Sequence, residues 1–346
     1  MTPGGDRAGG THGRAATVIV GGPSSEHAVS LVTGAEMLTR LRDGGRSARP
    51  VLITHGGRWH LGDARDAVGD LPGRVARSAA DVLEQLHDDG DVAVLGLHGR
   101  FGEDGSVQRL LEEADVPYTG SGPIASAICM DKDLSKRAAL EVGAHCATHV
   151  VVDTLPAPLK RLESQVGLPC VVKPVCGGSS VATSIVRHRE DLPAALRAAC
   201  SEDPDGRALV EAFVPGHELT CAVLRRDGEA WCLPLVAIEP RGGSFYDYRA
   251  KYESDETRLV CPAPVTGDIV EDIERVSLGL HAALQLRGVV RLDFMLAPGA
   301  SRAAFLEVNT LPGMTSHSLV PLAARAAGLG GPELMELLLA DVGSGG

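Results

Sequence analysis

Two apolar runs toward the C-terminus carry polar residues two apart: Arg291 and Asp293 in VVRLDFM, and Glu307 and Asn309 in FLEVN. Residues two apart on a strand share a face, so each pair projects together. Pro298-Gly299 between the runs supplies a turn, which predicts a hairpin bringing all four side chains to one surface. Asp293, Glu307 and Asn309 then offer hard oxygen donors beside the Arg291 guanidinium. Magnesium prefers such donors and keeps positions for phosphate, so the set reads as a Mg-nucleotide site. A strand that merely faces water shows the same alternation; the second strand and the glycine-bearing loop LPGMTSHS after it favour the site.

A second constellation centres on Lys173, which directly follows the apolar run CVV and precedes Gly177-Gly178-Ser179-Ser180. An ammonium beside a loop rich in backbone and hydroxyl donors can cover nucleotide phosphates, although such a loop also serves as a plain connector. It is not a Walker A loop, because the lysine precedes the glycines and the helix-entering G-K-[ST] is absent. Glu26 and His98 each stand just past the end of a strand-like run, where ligands gather in open α/β sheets. Glu26 could equally cap a helix, and His98 could be a satisfied structural histidine.

The elements that must hold these groups alternate between strand and helix. Ala16 to Val20 predicts a strand entering Gly21-Gly22, and Val29 to Leu41 a helix that stops near Gly44-Gly45. Strand signals at 51–54, 92–97 and 117–119, with a helix over 107–114, predict a parallel α/β sheet. A helix over 123–140 with Lys132 on it opens a second unit, followed by strands at 149–152, 170–172, 208–211 and 219–224. Residues 241–253 read as a Gly- and Tyr-bearing lid loop.

Composition narrows the partners. Acidic residues exceed basic ones by twelve and no Lys/Arg block is present, so nucleic acid is excluded as a partner. The eight cysteines form no C-x-x-C pair and read as reduced thiols of a cytoplasmic protein. Residues 1–14 read as a mobile tail without the apolar centre of a signal peptide, and no apolar stretch approaches the ~20 residues that span a bilayer.

Taken together the motifs resemble those of the D-alanine:D-alanine ligase family of the ATP-grasp superfamily. They run in order as GGPSSEHAVS from Gly21, LHGRFGEDG from Leu97, YTGSG from Tyr118 and MDK from Met130. VKPVCGGSSV from Val172, SFYDYRAKY from Ser244, RLDFM from Arg291 and LEVNTLPGMTSHSLVP from Leu306 follow. The resemblance implies an ATP-grasp α/β fold, with an N-terminal domain over 15–121, a central domain over 122–211 and a C-terminal domain over 212–342. It also implies ATP-dependent joining of two D-alanines through an acylphosphate, for peptidoglycan precursors, by a cytoplasmic homodimer. A ligase taking another D-amino acid or D-lactate, in resistance or self-protection, is the alternative, and a non-enzymatic nucleotide-binding regulator is a third reading.

By the same resemblance, Lys132 and Lys173 contact ATP phosphates, and Ser180 and Lys251 also bind the nucleotide. Glu211, Phe213 and Val214 hold adenine, and Glu218 binds ribose. Asp293, Glu307 and Asn309 hold two Mg2+, for which Mn2+ can substitute. Glu26 binds the first ammonium and His98 positions that substrate, while Ser318 and the Leu319 backbone receive the second carboxylate. Arg291 and the Gly313 N–H stabilise the oxyanion, and Ser179 with Tyr252 links the lid to Glu26. Tyr252 is replaced in depsipeptide-forming relatives, so its presence here implies an amine as acceptor. Ala182 and Ala212 depart from the family pattern, where Gly and Lys are usual.

Overall fold

The computed structural model describes residues 14–240 and 257–342. Strand β1 (Ala16–Gly21) is wholly buried and leads into helix α1 (His27–Asp43), whose Met37, Leu38 and Leu41 face the interior. Parallel pairing joins β1 to β2 (Ala48–Ile53). The next two strands, β3 (Trp59–Leu61) and β4 (Ala76–Arg77), add on antiparallel. Helix α2 (Ala79–Asp89) then returns the chain to β5 (Val92–Leu95), parallel to β1 on its other side. The first sheet is therefore mixed, with order β4-β3-β2-β1-β5, rather than the all-parallel sheet that the alternation predicts. The expected strand at 117–119 reduces to a single parallel bridge between Ala93 and Tyr118, after helix α3 (Ser106–Glu113).

The helix expected over 123–140 is two helices, α4 (Pro123–Met130) and α5 (Lys132–Glu141). Asp131 breaks it with extended backbone, and its carboxylate caps α5 by accepting from the Asp133 and Leu134 N–H groups. Both helices pack on the third sheet, where Ala125, Cys129 and Ala139 share a core with Leu219, Val290 and Phe305.

The second sheet is wholly antiparallel. It contains β6 (His149–Val152), β7 (Cys170–Pro174), β8 (Ser184–Val186) and β9 (Ala208–Ala212) in the order β6-β9-β7-β8. Helices α6 (Leu159–Val166) and α7 (Leu192–Glu202) cover it. Lys173 lies inside β7 rather than after it.

The third sheet is built on the long strand β10 (His217–Arg226), which pairs with β11 (Glu229–Cys232), β12 (Val236–Pro240) and β14 (Val289–Leu296). Its edges are β13 (Thr257–Val260) and β15 (Ala304–Asn309). Helix α8 (Gly267–Ala283) packs on one face. Helices α9 (Leu319–Ala326) and α10 (Gly331–Val342) share a core with α1, β1 and β10, so both ends of the described chain lie in one apolar cluster. Among the described residues no helix is long and apolar enough to cross a membrane.

Candidate active site

The predicted hairpin is present, and its register explains the site. Arg291 stands opposite Asn309 and Asp293 opposite Glu307, after which an irregularity between Asp293 and Phe294 shifts the pairing. Such a bulge re-aims the side chains beside it. The Arg291 guanidinium donates to both Asp293 oxygens, at 2.9 and 2.8 Å. Burial opposes the Arg291 charge, but Asp293, Glu307 and Glu218 outweigh it and raise its pKa. Lys132 Nζ lies 3.5 Å from Glu307 Oε2. Two carboxylates and an amide on paired strands give the hard oxygen donors a divalent cation prefers. Among the described residues no group of three or more His, Cys, Asp or Glu is placed to hold a metal ion by itself.

Two cavities meet here. One, of about 850 Å³, is lined by Glu26, His98, Ser179, Arg291, Gly313 and Ser318, with Asn309 and Leu319 also on its wall. The other, of about 620 Å³, is lined by Lys173, Ser180, Glu211, Phe213, Val214, Glu218 and Asp293. Lys132, Gly177, Gly178 and Glu307 belong to both walls, so a cation, a carboxylate and a glycine loop form the partition between them. Lys251 and Tyr252, and the expected lid at 241–253, lie outside the described residues.

In the larger cavity Glu26 stands at the start of α1, yet its side chain makes no capping bond. It accepts instead from the Ser179 hydroxyl, across 153 residues of sequence. Gly99 and Gly178 allow this approach: a Cβ would fall 2.5 Å and 2.8 Å, respectively, from Glu26 Oε2, and Gly99 has φ +66. His98 spends both ring nitrogens on protein. Nδ1 lies 3.0 Å from the Leu311 carbonyl, which can only accept, so Nδ1 carries the proton, and Nε2 takes the Thr33 hydroxyl at 2.9 Å. Burial lowers its pKa, favouring the neutral ring. The ring therefore ties Thr33 of α1 to the Leu311 segment at the wall of the larger cavity.

Glu103, which sequence reasoning left without a role, accepts from Gly99 N at 2.6 Å and from Leu311 N at 3.3 Å. Burial first, and then the charge of Glu26, pushes its pKa up to about 8. Its signal was present, because it sits within LHGRFGEDG, five residues after His98.

In the smaller cavity the Glu211 carboxylate, expected beside adenine, is taken by two lysines. Lys173 Nζ is 2.5 Å from Oε1 and Lys136 Nζ is 3.0 Å from Oε2. Burial opposes the Glu211 charge, but both lysines outweigh it and hold its pKa at about 2. Lys136 is wholly buried, also donates to the Phe305 carbonyl at 3.0 Å, and was missed by sequence reasoning. Four residues beyond Lys132 on the same helix, it is on the same face, which is the signal that could have found it. Lys132 Nζ donates to Gly177 O at 2.5 Å, tying α5 to the glycine loop. Ala182 has φ +52, the left-handed backbone for which glycine is the usual residue.

The family pattern described as "D-ala D-ala ligase N-terminus" matches residues 15–121, and "D-ala D-ala ligase C-terminus" matches 148–340. A D-alanine–D-alanine ligase of Chelativorans sp. is 41% identical over 306 residues, covering 87% of this chain and 96% of the relative. One of Ralstonia pickettii is 38% identical over 312 residues, covering 90% and 86%. Among solved structures, VanG D-Ala:D-Ser ligase from Enterococcus faecalis superposes with a TM-score of 0.81 at 28% identity, over 95% of this chain and 99% of that one. The D-alanine-D-alanine ligase from Coxiella burnetii gives 0.76 at 24% identity, over 95% of each chain, which is a likeness of fold.

Proposed function

From the premise that the chain belongs to the D-alanine–D-alanine ligase family, with its ATP-grasp fold, we propose how its residues carry out the reaction. The protein is an ATP-dependent ligase that joins two D-alanines to D-alanyl-D-alanine through an acylphosphate, for peptidoglycan precursors. It uses ATP and a divalent metal, as this family does. A carboxylate is a poor acyl donor until one of its oxygens becomes a leaving group, and transfer of the γ-phosphoryl group supplies that.

The observation that carries the assignment of roles is the shared wall. A nucleotide in the smaller cavity directs its terminal phosphate toward Lys132 and Glu307, and a D-alanine in the larger cavity brings its carboxylate to the same partition. Glu26 receives the ammonium of the first D-alanine, with Ser179 holding the carboxylate in place and His98 fixing the adjoining loop. Lys132, Lys173 and Lys251 neutralise phosphate charge, and the Ser180 hydroxyl binds the nucleotide beside them. Phe213, Val214 and the main chain at Glu211 flank adenine, while Glu218 takes the ribose hydroxyls. Asp293, Glu307 and Asn309 hold two magnesium or manganese ions, whose charge offsets that of the phosphates.

The amine of the second D-alanine attacks the acylphosphate. Arg291 and the Gly313 N–H face the oxyanion that develops, Ser318 and the Leu319 N–H hold the acceptor carboxylate, and Tyr252 favours an amine over a hydroxyl acceptor. Inorganic phosphate leaves and the dipeptide remains. The protein works as a cytoplasmic homodimer of three-domain subunits, divided at 121/122 and 211/212.

The test is incubation with ATP, Mg2+ and D-alanine, alone or mixed with D-serine and D-lactate, followed by mass spectrometry. D-alanyl-D-alanine and ADP in step are expected. Predominant D-alanyl-D-serine or D-alanyl-D-lactate would replace the acceptor assignment, and ADP release without any condensed product would sink the ligase reading.

A further inference from the structure

Helix α1 reaches the acceptor end of the site through Arg40, a residue to which nothing above gives a role. Its side chain is only 14% exposed. Nη1 donates to the Met314 carbonyl at 2.6 Å, and Nη2 pairs with Glu36 Oε2 at 2.8 Å. The other oxygen of Glu36 accepts from Ser316 Oγ at 3.3 Å. One guanidinium–carboxylate pair therefore grips the segment after β15 at two places, residues 314 and 316.

That segment is a closed unit. The Ser318 N–H donates to Thr315 O at 3.0 Å, while Ser318 Oγ accepts from Thr315 N at 3.0 Å and lies 2.8 Å from Thr315 Oγ1. Gly313 and Ser318, which face the oxyanion and the acceptor carboxylate in the reading above, thus sit at the two ends of one small turn. Upstream, Leu311 is held by His98 and Glu103. Downstream of Leu311, the grip from the N-terminal part of the chain is the Arg40–Glu36 pair. Glu36, Thr315 and Ser318 reach the wall of the larger cavity, and Arg40 supports them from behind. A Cβ on Gly331 would come within 2.9 Å of Arg40 Cδ, so α10 leaves the arginine stem little room to swing.

We propose that Arg40, acting with Glu36, is a positioning residue for the second substrate: it sets the Met314–Ser318 turn so that Ser318 meets the acceptor D-alanine and the adjoining Gly313 N–H meets the oxyanion formed as that substrate attacks. The proposal rests on the ligase reading given above. A charge-assisted hydrogen bond to a carbonyl is stronger than a neutral one, and small displacements of positioning groups cost rate steeply. Loss of the grip should fall on the acceptor site and the oxyanion donor beside it, and spare first-substrate and ATP binding, since the groups around Glu26 and the nucleotide cavity have other supports.

Initial rates over a wide range of D-alanine separate the Michaelis constants of the first and second sites, and ATP is varied independently. Arg40→Met is expected to raise the second-site constant roughly ten- to a hundredfold, with the first-site and ATP constants within about twofold. Arg40→Lys keeps a cationic donor and should recover most of the loss; Glu36→Gln should raise the same constant by less. Thermal melting reports whether each variant is folded, and Glu36→Gln carries the test if Arg40→Met is not. An unchanged second-site constant in the folded variant, or all three constants rising together, would overturn the proposal. An unmodified enzyme that makes no dipeptide would overturn the ligase reading and this proposal with it.

Discussion

Glu307 and Glu103 show how differently two carboxylates of one site are treated. Glu307 faces both cavities with Lys132 beside it, whereas Glu103 is buried among backbone N–H groups and close to the charge of Glu26. Glu307→Gln keeps the shape and removes a charge that the divalent cations need in the proposed function. Ligation should fall by at least two to three orders of magnitude, on the scale of losing one electrostatic stabiliser, with the melting temperature little changed. A melting temperature that collapsed along with activity would mark the residue as structural. Glu103 has its folded pKa raised from 4.5 to about 8. A carboxyl raised on folding contributes most below its unfolded pKa, and its contribution declines as pH rises toward the folded one. Stability should therefore fall between about pH 4.5 and 8 on account of this group, and Glu103→Gln should flatten that slope. Melting curves across the range decide it: parallel profiles for the two proteins would refute the assignment. Sequence could single out Glu26, Lys173 and Glu307 because each stands in a local motif. Arg40 acts through a partner 274 residues away, and local spacing carries no trace of that pair, whereas Lys136 shares a helix face with Lys132 although its carbonyl partner is 169 residues away.

Among elements, the hairpin of β14 and β15 was legible because alternation, a turn and apolar partners all agree. The break at Asp131 was less so, since apolar periodicity continues across it and only the capping carboxylate interrupts the helix. Strands β3 and β4 are too short to show a period. That break serves the site. Asp131 Oδ2 accepts from Arg207 Nη1 at 2.9 Å, and Asp203 accepts from the N–H groups of Cys176 and Arg207 at 2.7 and 3.0 Å. The Lys132 N–H donates to Val175 O at 3.0 Å. The start of α5 and the base of the glycine loop are thus fastened together by one acidic–basic network. Arg207→Met should loosen the loop over the nucleotide, raising KM for ATP several-fold while kcat at saturating ATP changes less. A change confined to the D-alanine constants would show that the network does not serve the nucleotide side.

In the molecule as a whole, the sharing of one core by the two ends of the chain matters most, and no local pattern announced it. Leu338 on α10 is 4% exposed and lies in the cluster that contains Met37, Leu38 and Leu41 of α1, together with Ala222 and Leu224 of β10. Asp341 on the same helix accepts from the Gly288 N–H at 2.6 Å, which pins the C-terminal end of α10 to the loop entering β14. Helix α10 is consequently a wedge between β1 with α1 and the sheet that carries Arg291 and Asp293. Leu338→Ala removes buried apolar volume and leaves a cavity, a change that costs about 2 to 5 kcal/mol in well-packed cores. If the wedge couples the two parts, the variant should unfold in a single transition at lower temperature. Hydrogen exchange should then speed up in α1 as well as in α10. Faster exchange confined to α10, with α1 protected as in the unmodified protein, would mean that the ends of the chain share a core in space without sharing their stability.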